Sequence, residues 1–328
     1  MIDRTEMSDL NGSLWRPARR EILSCIPAAL SGVFLSQARG NAADRKPSFQ
    51  FPKNARARLA VTSYPFRTLL ISPKNRQRDA KLPGMDMKEF PAFVAETFGV
   101  FNVNPLLDHF SSTDPAYLES FRAVLDKARS HIVDLGLSGG SFYAVDPSVR
   151  KSAVAIAQKS VDIAVQLGSP SVRQHVRGHS GEKPDVSLAA SSLGELAEYG
   201  AKKNVVINLE NDAPGSEDPF FLVAIIEKAN NPYLRALPDF GNSLIGHDNE
   251  YNKKAVEGML RHAFNMCHVK DIVEDDNGKR YSVDLEAMFK LANETSYEGF
   301  FSMEFETREG DPTTGTKRLV KETLQHLS

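Results

Sequence analysis

Four short stretches in the second half of this sequence end in residues that can hold a cation or move a proton. "INLEND" closes on Glu210, Asn211 and Asp212; "PDFGN" supplies Asp239 and Asn242; "MCHVKD" supplies His268, Lys270 and Asp271; "FFSMEFE" supplies Glu304 and Glu306. Glu210, Asp239, His268 and Glu304 together make a hard-to-borderline donor set suited to one divalent metal ion, Mn2+, Mg2+, Co2+ or Zn2+. Three carboxylates gathered in one place repel and shift each other's pKa unless a cation sits among them. Taken singly, each residue has an ordinary explanation. A histidine ending an apolar run is most often a hydrogen-bonded core residue, an aspartate before a turn caps it, and glutamates pair with a nearby lysine such as Lys270.

What joins the four is the kind of element that ends at each. From about residue 57 the chain alternates short apolar runs with longer amphipathic stretches. The runs read as strands are 58–66, 98–105, 131–139, 170–176, 205–212, 233–242, 264–271 and 299–306. They recur every 30 to 40 residues or so, the length of one strand, one helix and two loops in a (β/α)8 barrel of about 250 residues. Between the third and fourth runs, Asp146 and Pro147 predict a helix start and Gly168 its stop. Val154, Ile156, Ala157, Val161, Ala164, Val165 and Leu167 supply its apolar side. No glycine-rich turn follows a strand to cradle a dinucleotide, so the expected fold is α/β, a single-domain TIM barrel over residues 57–328. In such a barrel the strand ends all face one mouth, and four neighbouring strands then aim their carboxylates and imidazole at one point.

The remaining sequence sets limits. With 41% hydrophobic residues in 328 the chain has ample material for a core, and 40 basic against 42 acidic residues leave a formal charge of -2, which gives no bulk pull toward nucleic acid or anionic lipid. Residues 1–43 carry the pair Arg19 and Arg20, an apolar run from Ile22 to Leu35, and small residues to Ala43. That pattern predicts a twin-arginine-type export signal and a periplasmic or exported protein, with a cytoplasmic one as the alternative. The run is short of the about 20 apolar residues a membrane span needs, so the mature chain is expected to have none. Residues 44–56 read as a linker. Cys25 and Cys267 are the only cysteines, so loss of the signal would leave one, too few for an internal disulfide.

These motifs, in this order, resemble the xylose isomerase-like (β/α)8 barrels, a family that includes sugar isomerases, ketose 3-epimerases and inosose dehydratase-type enzymes. The resemblance covers roughly residues 57 to 327 and is supported by "VDIAVQLGSPSVRQHVRG". It implies that Glu210, Asp239, His268 and Glu304 ligate one metal ion, with Glu210 and Glu304 also the acid/base pair. It implies a small carbohydrate substrate handled through an enediolate, by isomerisation or epimerisation. Asn242 falls at a substrate-binding position, and Lys270 and His175 are further candidates to hold sugar hydroxyls, with Tyr64 and Arg67 from the first strand. Relatives are often homo-oligomers. Two departures stand out: the second strand ends in "NVNP" where many relatives have a glutamate, and Met266 stands where ketose 3-epimerases have a histidine. A dehydratase acting on a keto-cyclitol or keto-sugar and a barrel that binds carbohydrate without converting it are the alternatives; a repair endonuclease would need more histidines at the mouth and a basic surface.

Overall fold

The computed structural model describes residues 46–179, 181–212, 217–307 and 310–327. The signal-like segment, residues 1–43, lies outside them. All eight apolar runs contain a strand: β1 (Leu59–Thr62), β2 (Asn102–Asn104), β3 (His131–Ile132, resumed at Leu135–Gly136), β4 (Ser171–Arg173), β5 (Val206–Glu210), β6 (Leu234–Leu237), β7 (Met266–Val269) and β8 (Phe300–Met303). Eight helices alternate with them: α1 (Phe90–Phe98), α2 (Pro115–Ala128), α3 (Pro147–Leu167), α4 (Val186–Lys203), α5 (Pro219–Ala229), α6 (Asn249–Leu260), α7 (Leu285–Glu294) and α8 (Pro312–His326). Neighbouring strands are parallel in the order β7-β8-β1-β2-β3 and, from the second piece of β3, β3-β4-β5-β6. Bridges Leu106 to Gly136, Ala236 to Ala263 and Asp239 to His268 close the ring. The last of these seams sets two of the candidate ligands side by side through the backbone.

Local chemistry explains the elements. The strands read as apolar runs because they are covered on both faces, by helices outside and by each other inside. The Asp146 side chain caps α3 by accepting from Ser148 N–H, Pro147 fills its first position, and Gly168 ends it at φ 77 in the left-handed region. The α3 stripe is narrower than the sequence suggested. Ala153, Val154, Ala157, Val161, Ala164 and Leu167 are buried, whereas Ile156 and Val165 are 64% and 41% exposed. At 3.6 residues per turn, Ile156 lies about 200° round from Val154, on the far side of the helix.

The barrel interior is layered. Ala60, Val133, Leu237, Met266 and Phe300 form an apolar floor, and Phe49 and Phe51 pack against it from below. Phe51 meets Phe264 and Phe300 edge-on at 5.4 and 6.1 Å. The stretch expected to be a linker therefore plugs the open end of the barrel, which would otherwise leave that floor in water. Tyr233 Oη donates to the Lys46 carbonyl at 3.3 Å and helps pin the plug in place. Met266 belongs to this floor, two residues before His268 on the same face of the strand. Above the floor is a polar layer in which Asp134 accepts from Ser171 Oγ at 2.5 Å and Asn208 Nδ2 at 2.9 Å. Among the described residues no helix is long and apolar enough to cross a membrane.

Candidate metal centre

Alternation along the strands decides what faces the axis. His268 and Lys270 share one face of the β7 line, and Ser302 and Glu304 share one face of the β8 line. Asp239 follows β6 by two residues, and Glu210 ends β5. The structure brings all four predicted ligands together: one donor atom from each of Glu210, Asp239, His268 and Glu304 lies within 4.8 Å of the others, and every one of the four is buried. Donors to a small divalent ion stand ~2.0–2.2 Å from it, hence up to ~4.4 Å apart across it. A contraction of a few tenths of an ångström would complete the site.

His268 Nδ1 is the centre of the cluster. It is hydrogen-bonded to Glu210 Oε1, lies 2.7 Å from Glu304 Oε2 and 3.9 Å from Asp239 Oδ2. Its other nitrogen, Nε2, donates to Asn104 Oδ1 at 2.9 Å. The orientation of that amide is fixed, because Asn104 Nδ2 donates to the Asp134 carbonyl at 2.9 Å. With Nε2 holding its proton, Nδ1 of the neutral ring offers a lone pair to the carboxylate side, the tautomer a metal-binding histidine needs. Asn104, in the "NVNP" that seemed a gap in the site, thus supports His268.

Two buried oxygens test whether a cation fits. Asp239 Oδ2 and Glu304 Oε2 are buried and are balanced only by charged neighbours, Lys270 Nζ at 3.3 Å from Asp239 and His268 Nδ1 at 2.7 Å from Glu304. Asp239 also resolves the two readings open to it. Its Oδ1 caps the turn, accepting from Gly241 N–H at 2.8 Å and Asn242 N–H at 2.7 Å, while Oδ2 points into the cluster. The residues present fit a divalent ion.

The electrostatics agree. Burial pushes Asp239 up to about 7 even against the pull of Lys270. Burial opposes charge on His268, but Glu210 and Glu304 beside it outweigh that and lift the ring well above the ordinary histidine value. Burial also works to raise Glu210, yet His268 and Arg173 hold it well below the usual carboxylate range. Neither His268 nor Asp239 can ligate while protonated at the donor atom, so metal uptake at pH 6 is expected to release more than one proton per ion. The buffer dependence of the binding heat measures this, and a release below about half a proton would contradict the arrangement. Because its folded value is raised from 3.8 to about 7, Asp239 favours the metal-free fold fully below its unfolded value, and that contribution is lost as pH rises through about 7.

Three of the residues expected to hold substrate, Lys270, Asn242 and His175, also have protein partners. Lys270 Nζ donates to Glu306 Oε2 at 2.5 Å and Asn242 Oδ1 at 2.8 Å and lies 3.3 Å from Asp239 Oδ2. Asn242 Nδ2 donates to the Asn211 carbonyl at 3.0 Å. His175 Nδ1 donates to Glu217 Oε1 at 2.8 Å, and its Nε2 accepts from Arg173 at 2.8 Å. His175 is therefore a brace for Arg173, whose guanidinium also donates to Glu210 Oε2 at 2.5 Å. Arg173 was missed in the sequence although a signal existed: an arginine inside a strand, two residues from a histidine and so on the same face. His109 was missed as well. It is buried beside Ser63 Oγ at 2.8 Å, and burial drops its pKa to about 4, so the ring is neutral. Tyr64 stands at the rim with Arg67 stacked 4.2 Å over its ring, and burial raises its hydroxyl to about 12.

The sequence profile of the xylose isomerase-like TIM barrel family matches residues 94–328. No curated protein matches the chain in sequence. Solved structures do resemble it. A xylose isomerase-like TIM barrel protein from Mycobacterium smegmatis in complex with magnesium is 19% identical with a TM-score of 0.61, over 82% of this chain and 96% of that one. D-allulose 3-epimerase from Methylomonas sp. is 15% identical with a TM-score of 0.63, over 85% and 100%. 3-Keto-D-glucoside 4-epimerase from E. coli is 13% identical with a TM-score of 0.59, over 82% and 99%. At such identities the likeness is one of fold. The profile match spans well over half of the 328 residues, and on that ground the chain belongs to the xylose isomerase-like TIM barrel family.

Proposed function

We propose that this protein is a divalent-metal-dependent isomerase that epimerises or isomerises a small sugar or cyclitol by moving a proton next to a carbonyl. The observation that carries this is the convergence of three buried carboxylates on one imidazole nitrogen at the barrel mouth. An ion held by Glu210, Asp239, His268 and Glu304 would supply Lewis acidity, making the C–H beside a bound carbonyl acidic. The chain supplies the proton chemistry. Glu304 can accept the proton on a carboxylate oxygen that the ion does not engage. Glu210 enters from β5, with Asp239 and His268 on the two strands between it and Glu304. Removal by one carboxylate and return by the other inverts the carbon; return to the neighbouring carbon interconverts aldose and ketose. That fold neighbours include sugar epimerases supports the carbohydrate class.

Elemental analysis of protein purified without chelator tests the reading, with about one divalent ion per chain expected. The same protein is expected to exchange a carbon-bound hydrogen of its sugar in D2O, and a Glu210→Ala, His268→Ala double variant to lose both properties. No metal in the parent even after reconstitution with Mn2+ or Zn2+ would overturn it in favour of a carbohydrate-binding barrel.

A further inference from the structure

The two glutamates of the cluster differ in what holds them. Glu210 Oε1 is hydrogen-bonded to His268, and its Oε2 accepts from Arg173 at 2.5 Å. Glu304 Oε2 faces the same imidazole nitrogen at 2.7 Å, and among the described residues no lysine or arginine bonds to Glu304. The neighbouring strands make the difference. Beside β5, β4 supplies Arg173; beside β8, β1 and the residue after it supply only the hydroxyls of Thr62 and Ser63. The Glu304 side chain is also the more open of the two, 8% exposed against 3%.

Arg173 is itself seated from two sides. Its Nη1 also donates to His175 Nε2 at 2.8 Å, and His175 Nδ1 donates to Glu217 Oε1 at 2.8 Å. Gly136, the register partner of Arg173 on β3, gives the guanidinium its room. A Cβ at Gly136 would stand 2.9 Å from Arg173 Nη2 and 3.2 Å from Leu106 Cγ. In an interior packed this closely a side chain there would push the guanidinium aside. Swinging away from Glu210 would leave two buried charges unpaired, so the arginine stays where the brace and the glycine put it.

We infer that Arg173 makes Glu210 a ligand only and leaves Glu304 as the single carboxylate that carries the proton, so that the reaction is aldose–ketose isomerisation and not epimerisation. The inference rests on the function proposed above and narrows it. A carboxylate oxygen covered by a guanidinium has no open approach to a carbon-bound hydrogen. A single base works on one face of the sugar. Glu304 takes a proton from C1 of the ketose, the C–H electron pair becomes the C1=C2 bond, and the carbonyl pair moves onto O2. The hydroxyl proton on O1 passes to O2, and Glu304 returns its proton to C2, which leaves an aldehyde at C1 and a hydroxyl at C2. Inverting one carbon needs a second donor on the opposite face, the part that Arg173 withholds from Glu210.

Proton NMR in D2O tests this on the metal-loaded protein with D-fructose, D-tagatose, D-xylulose and L-ribulose. At least one is expected to give its aldose, with one C1 hydrogen exchanging about tenfold or more faster than the other. Arg173→Gln and Gly136→Ala, the second with the arginine kept, are each expected to cut that ratio by about fivefold, because both uncover Glu210. A merely structural loss would slow the two hydrogens alike. Melting of the metal-free protein tests the Arg173 contact without substrate. The Arg173→Gln, Glu210→Gln double variant is expected to lose less than the two single losses added together, by about 5 °C. Formation of a C3 epimer, equal exchange of the two C1 hydrogens, a ratio untouched by both variants, or additive melting losses overturns the inference and leaves the proposed function standing. If the metal-loaded protein exchanges no hydrogen on any of the four sugars, both fall.

Discussion

Glu304→Gln is expected to slow exchange of the substrate's carbon-bound hydrogen by about 10²–10⁴-fold, the usual loss when a positioned general base is removed. The variant should still carry metal, because the amide keeps an oxygen that can ligate. What it loses is the basicity of the carboxylate, whose Oε2 lies 2.7 Å from His268 Nδ1. Glu210→Gln is harder to interpret. Both Glu210 oxygens are engaged, one by His268 and one by Arg173, so the change also strands a buried guanidinium. Hydrogen exchange in D2O measured beside metal content therefore tests the mechanism most directly at Glu304. Exchange within tenfold of the parent, with metal bound, would remove Glu304 from the proton path.

Lys270→Met should destabilise the metal-free protein by about 3–5 kcal/mol, since it breaks a buried charge network by removing one partner. Lys270 is 2% exposed, and Asp239 beside it is fully buried. Burial already holds Asp239 at about 7, and Lys270 is the main influence pulling it down. Without the ammonium the carboxyl rises further, so the variant should bind metal weakly at neutral pH and recover as the pH is raised. Denaturant unfolding of the metal-free protein reads the first effect, and metal titration between pH 6 and 9 reads the second. A loss of less than about 1 kcal/mol would place these contacts in the range of solvent-screened surface pairs.

Both experiments turn on residues whose positions were legible in the sequence to different degrees. Glu210, Asp239, His268 and Glu304 stood out because each closes an apolar run of strand length, and a parallel barrel brings such ends to one mouth. The helix signals were equally local: Asp146, Pro147 and Gly168 mark the ends of α3 by the hydrogen-bonding and conformational rules of single residues. Less could be read about partners. Lys270, Asn242 and His175 were expected to hold substrate, and the fold adds contacts to Glu306, Asn211 and Arg173 that the sequence did not show. Nothing within a strand says which side chain will lie across the barrel from it.

The sequence by itself determined the strands, the helices and the four side chains at the mouth, because alternation, capping and apolar periodicity act over a few residues. The tertiary structure alone decided that Asn104 fixes the tautomer of His268, 164 residues away. It also decided that Arg173 secures Glu210, and that Phe49 and Phe51 seal the floor. Those pairings depend on how the ring closes and how far each strand is staggered against the next. Register and closure come from the summed packing of the whole barrel, so no short stretch encodes them.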